Sequence, residues 1–137
     1  MQNSSTQVVA CITNPNQAWR LLNEATEQAC YRGAALNLVI CRSFVSANMS
    51  SEETTHLLSK LNHAAENTCR ENGIELTINT FDCGPKETTM VEGLVKDPKT
   101  ALLILTDVLP KSVLARWLPR KMETLARRLS CSVMLLR

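Results

Sequence analysis

Residues 7–33 read QVVACITNPNQAWRLLNEATEQACYRG, and the first half of this stretch changes character sharply at Asn14-Pro15. Gln7 to Thr13 is a short apolar run with valines and isoleucine, the pattern of a strand buried on both faces. Asn14 can cap a helix, Pro15 suits a first helical position where its missing donor costs nothing, and Gln17 sits where a capping-box partner would. The helix that follows places Ala18, Leu22, Ala25 and Ala29 on one stripe and is expected to stop near Gly33. A buried strand feeding an amphipathic helix is half of a β-α-β unit.

The unit then repeats. Ala35 to Cys41 (ALNLVIC) reads as a second buried strand. Ser50 and Glu53 form a capping box for a second helix with Leu57, Leu58, Leu61, Ala65 and Cys69 on one side, closed at Asn72-Gly73. Ile74 to Phe81 (IELTINTF) alternates apolar and polar residues, so it is placed at the sheet edge. A short third helix is expected from Gly84-Pro85, carrying Met90, Val91, Leu94 and Val95 and ending at Asp97-Pro98. Ala101 to Thr106 (ALLILT) is apolar throughout and reads as an inner strand. A basic helix with Leu118, Met122, Leu125 and Leu129 precedes a last strand, Ser132 to Leu136.

Strands alternating with helices imply right-handed crossovers and a parallel sheet covered on both faces. In such sheets ligands sit beyond the carboxyl ends of the strands, where the strand order reverses. That directs attention to Thr13 to Pro15, Cys41 to Ser43 and Thr106 to Lys111.

The 137 residues are 45% hydrophobic, which suits one domain spanning 1–137 with one core. The opening MQNSSTQ lacks the features of a secretory signal, and Ala101–Leu105 is far short of the roughly 20 apolar residues of a membrane span. The chain is therefore read as cytoplasmic, with no integral membrane segment. Six cysteines at 11, 30, 41, 69, 83 and 131 form no C-x-x-C pair and are read as reduced, buried thiols. A net charge of +2 argues against bulk binding to nucleic acid. The basic residues concentrate late in the chain, where Lys111, Arg116, Arg120, Lys121, Arg127, Arg128 and Arg137 oppose only Glu123 from Val108 onward. His56 and His63 lie two turns apart, roughly 10 Å along a helix axis, too far to share a metal. No nucleophile elbow, Ser-His-Asp order, paired-carboxylate site or Walker loop is present, so the chain is not read as an enzyme and no metal site is assigned.

The element order, the basic helix followed by SCSVMLLR, Gly33-Ala34 before the second strand and Pro85-x-Glu87 after the third together resemble the universal stress protein family. The resemblance covers essentially the whole chain. It implies a three-layer α/β/α sandwich, Rossmann-like, with a five-stranded parallel sheet in the order 3-2-1-4-5, and a homodimer paired through the C-terminal strand. Nucleotide-binding members resemble one another in an aspartate ending the first strand and a loop after the fourth reading Gly-x-x-Gly, nine residues, then Gly-Ser or Gly-Thr. In this chain Thr13 stands at the aspartate position, Thr106, Leu109 and Pro119 at the glycines, and Arg120 at the hydroxyl. Pocket positions by resemblance are Thr13, Cys41, Thr106, Lys111 and Arg120.

The expectation is a non-catalytic signalling or stress-response module that binds no ATP and acts through dimerisation and its surface, with a protein partner at the basic helix. Two alternatives stand beside it: a domain with an altered pocket for another nucleotide or small anion, and a cytoplasmic regulatory domain of a transporter or sensor.

Overall fold

The computed structural model describes residues 6–12, 15–42, 49–81, 93, 97–106 and 132–136. Strand β1 (Gln7–Ile12) is followed by a 3-10 turn (Pro15–Gln17) and helix α1 (Ala18–Arg32). Strand β2 (Ala35–Cys41), helix α2 (Ser51–Glu71) and strand β3 (Leu76–Phe81) come next, then β4 (Thr100–Thr106) and β5 (Ser132–Leu136). The sheet is parallel throughout and runs β3-β2-β1-β4-β5. Chain order thus reverses at β1. From there the chain steps outward to β2 and β3 and returns to pair β4 on the other side of β1.

The entry into α1 differs from the sequence reading. Gln17 is not a capping-box partner one turn inside the helix; it is itself the N-cap, and its side chain makes no capping bond. Pro15–Gln17 wind as a tighter 3-10 turn, which delays the α-helix to Ala18. From there the expected stripe is in place, with Ala18, Leu22, Ala25 and Ala29 buried together with Leu21 and Thr26. The Thr26 hydroxyl donates to Leu22 O at 2.8 Å, which is how a polar side chain is accommodated there. Gly33 closes the helix at φ 61, a left-handed conformation that a Cβ would disfavour.

Helix α2 starts as its sequence indicates. Ser50 Oγ accepts from Glu53 N at 3.1 Å, and Ser50 N donates to Glu53 Oε1 at 3.2 Å. Leu61, Ala65 and Cys69 are buried, Leu57 and Leu58 pack against the core edge, and the helix ends at Asn72 with Gly73 at φ 66.

One core joins these elements. Val8, Ala10 and Ile12 of β1, Leu36, Leu38 and Ile40 of β2, Leu102 and Ile104 of β4 and Leu136 of β5 face α1 and α2. Val9, Cys11, Val39 and Leu103 alternate with them on the opposite face and are also buried. That doubly buried pattern is why β1 and β4 read as continuous apolar runs. Of the helices expected around Met90–Val95 and Leu118–Leu129, only Gly93 falls among the described residues, and it is helical. Among those described, no helix is long and apolar enough to cross a membrane.

At the amino edge, Gln7 N donates to Lys99 O at 2.7 Å and Gln7 Nε2 to Thr100 Oγ1 at 3.0 Å. Asp97 shapes the turn into β4, accepting from Lys99 N through Oδ1 and from Thr100 N through its carbonyl.

These contacts set an order of mutational cost. Leu38→Ala, which empties a fully buried site, should cost about 2–5 kcal/mol. Ser50→Ala should cost about 1 kcal/mol through the lost cap, and Gly33→Ala about 1–2 kcal/mol through the left-handed backbone alone, since nothing lies within 4 Å of the added Cβ. Urea unfolding of the three variants checks both the order and the sizes.

Candidate functional site

The topology places one crevice. Ile12, Cys41 and Thr106 end β1, β2 and β4 at the same edge of the sheet, and β1 separates the other two. Neighbouring strands lie about 4.8 Å apart, so the ends of β2 and β4 are roughly 10 Å from each other across β1. Cys41 pairs with Phe81 of β3, and Thr106 with Leu136 of β5. On the β4 side Ala10 stands opposite Ile104, which leaves Cys11-Ile12 and Leu105-Thr106 running on to the edge. The reversal of chain order falls between β1 and β4, which is where open parallel sheets hold their ligands.

Of the pocket positions named from sequence, Cys41 and Thr106 are brought to this edge as strand ends on either side of β1. Thr13, Lys111 and Arg120 lie outside the described residues. The turn Pro15–Gln17 follows β1 at the same edge, so α1 begins on the side of the sheet where these strands end.

Cys11 is one residue inside the edge on β1 and is buried. Desolvation pushes its thiol up to about 12, so it stays neutral and is a poor nucleophile. Cys69 is pushed up by burial as well. Cys30 departs from the expectation of buried cysteines: it is exposed on α1, because its position falls off the stripe set by Ala25 and Ala29. His56 and His63 are both exposed, and His63 Nε2 lies 3.1 Å from Asn67 Nδ2. Among the described residues no cluster of His, Cys, Asp or Glu is arranged to hold a metal.

Two features escaped the sequence reading. Asn37 is buried in the middle of β2 and accepts from Asn79 Nδ2 of β3 at 3.2 Å, a polar bridge between strands. The lone asparagine inside ALNLVIC was its signal. Tyr31 is 89% exposed and lines a cleft of about 640 Å³ between α1 and α2, with Asn23, Thr26, Glu27, Cys30, Thr68 and Asn72. This cleft involves the last turns of both helices, at the amino edge of the sheet and away from the crevice.

No family model matches the sequence, and no curated protein sequence matches it. Solved structures do. A universal stress protein in complex with cAMP is 16% identical with a TM-score of 0.58 and covers 98% of each chain. The universal stress protein from Archaeoglobus fulgidus in complex with dAMP is 14% identical with a TM-score of 0.58, covering 96% of this chain and 98% of that one. The UspA protein from Lactobacillus plantarum is 16% identical with a TM-score of 0.51, covering 99% and 100%. The chain therefore has the universal stress protein fold.

The burial of Cys11 generates a test with a definite sign. Its thiol ionises near 9.0 in the unfolded chain but only at about 12 in the fold. Its contribution to stability is thus complete below pH 9 and is lost as pH rises from 9 toward 12, at about 1.4 kcal/mol per pH unit. Denaturation at pH 8 and pH 10 should show the wild type losing more stability than Cys11→Ala over that interval. Peptide mapping after treatment of the native protein with a thiol reagent should find Cys30 modified and Cys11 protected.

Proposed function

We propose that this chain is a degenerate member of the universal stress protein family: a non-catalytic, cytoplasmic signalling or stress-response module that does not hold ATP and works through dimerisation and surface contacts. Its remaining helices would complete a three-layer α/β/α sandwich on the second, buried face of the sheet. The dimer would use β5, whose outer edge ends the sheet, and a protein partner would meet the basic segment around Arg116, Arg120 and Arg127.

The observation that carries the reading is Thr106, the last residue of β4 at the crevice. A phosphate loop of the family's kind would begin at this position with glycine, so that bare backbone can approach the anion. By resemblance, this sequence has Thr106 and Leu109 where that loop has glycines. Pro119 removes an amide donor from the later glycine pair, and Asp107 would oppose the charge of a triphosphate. Each change weakens the same cradle.

A second reading is favoured by a specific finding. Two proteins of this fold carry cAMP and dAMP, nucleotides with a single phosphate. One phosphate asks less of the loop than three, and in an altered pocket Thr13, Lys111 and Arg120 would supply a hydroxyl and two cations.

Equilibrium dialysis against ATP, cAMP and dAMP separates these readings. The first predicts no ATP binding tighter than the millimolar range and none for the monophosphates. Micromolar affinity for ATP would overturn the loss of the cradle, whereas micromolar affinity for cAMP or dAMP alone selects the altered pocket.

A further inference from the structure

Strand β3 is hydrogen-bonded to β2 on one side, and no described residue pairs with its other side. The register fixes which backbone groups face outward. Leu36 stands opposite Leu76, and Leu36 N donates to Glu75 O at 2.8 Å. In a parallel ladder this turns the N–H and C=O groups of Thr77 and Asn79 toward β2. Those of Leu76, Ile78 and Thr80 therefore point away from the sheet.

Outer strands usually carry a device against pairing, such as a lysine, a proline or a bulge. β3 has none of these. Its sequence LTINTF contains no charge, proline or glycine, and its register with β2 is unbroken from Leu76 to Phe81. Threonine, isoleucine and phenylalanine are strand formers, so the edge is straight and ready to extend. Beside it lies a cleft of about 560 Å³ between α2 and β3, lined by Glu66, Cys69, Arg70, Ile74, Leu76 and Ile78. Ile74, Leu76 and Ile78 are only half-buried there. A strand added at the edge would lay alternate side chains over this apolar floor.

We infer that the outer edge of β3 is a self-association surface, on which a second copy of the chain pairs its own β3 antiparallel about a two-fold axis at Ile78. In that register Ile78 meets its own counterpart, Leu76 faces Thr80 and Thr77 faces Asn79, so every outward backbone group finds a partner. The charges of the cleft choose a second copy over a foreign strand. Glu66 and Arg70 are of opposite sign and one helical turn apart, so the rim as a whole is neutral and, under a two-fold axis, presents both signs to its own image. This surface is distinct from β5, which ends the sheet at the opposite side.

Thr80→Pro tests the inference in the full chain. Because the Thr80 N–H points outward, proline removes a donor from the free edge and leaves the β2 ladder intact, and Thr80 is exposed. Sedimentation from low micromolar to the hundred-micromolar range should show the wild type associating and Thr80→Pro doing so at least tenfold more weakly. Thr80→Lys, which puts a charge on the edge without touching the backbone, should behave alike. Both variants associating as the wild type does overturns the inference and leaves any β5 pairing unaffected, whereas a wild type that stays monomeric throughout overturns both. Amide exchange gives an independent readout. The amides of Ile78 and Thr80 should gain protection with protein concentration while those of Thr77 and Asn79 are protected throughout, and concentration-independent exchange at all four would count against it.

Discussion

Strand β1 shares its backbone with β2 on one side and β4 on the other, while its side chains are buried on both faces. Every other placement follows from that double pairing. Parallel neighbours cannot be joined by a tight turn, so each ladder requires a crossover, and the first crossover is α1. α1 in turn covers the face carrying Val8, Ala10 and Ile12 with an alanine-rich stripe. Small residues let the helix approach the sheet closely, and Gly33 then returns the chain directly into β2, with Ala34 N bonded to Ala29 O at 2.9 Å. A one-residue slip of β1 would exchange its two buried faces and break both ladders.

The same constraint makes the carboxyl edge the place where chemistry can collect. With β1 in the middle, the ends of β1, β2 and β4 lie side by side at one edge of the sheet, where the chain order reverses. The fold thus supplies the position at which open parallel sheets hold ligands, whatever residues line it. Residue identity in the loop is a separate matter: the resemblance puts Thr106, Leu109 and Pro119 at the glycine positions of the family's phosphate loop. Fold and binding are separable properties, because the first depends on the apolar pattern of the strands and the second on a few loop positions.

Going outward from β1, the strands become more polar on one side. β3 alternates, and its bond from Asn79 to Asn37 inserts a hydrogen-bonded polar pair among otherwise apolar strands. Such a pair is tolerated only when both groups are satisfied, so it penalises any other alignment of β3 on β2. The register that it favours is the one that turns Leu76, Ile78 and Thr80 outward.

Much of this was written in local sequence. The apolar runs of β1, β2, β4 and β5, the capping box at Ser50 and Glu53, the stripes of both helices and their glycine stops are set by neighbours within a turn or a strand, and residue identity alone is enough to read them. The start of α1 was not, because Pro15–Gln17 could open either an α-helix or a 3-10 turn. The pairing of Asn37 with Asn79, 42 positions apart, and the clefts beside α2 also depended on distant residues meeting in space. Strand order belongs to the same class: sequence specified buried and half-buried strands, but only packing α1 and α2 on one sheet decided that β1 lies between β2 and β4, since the choice of neighbour is made by shared burial and not by any single segment.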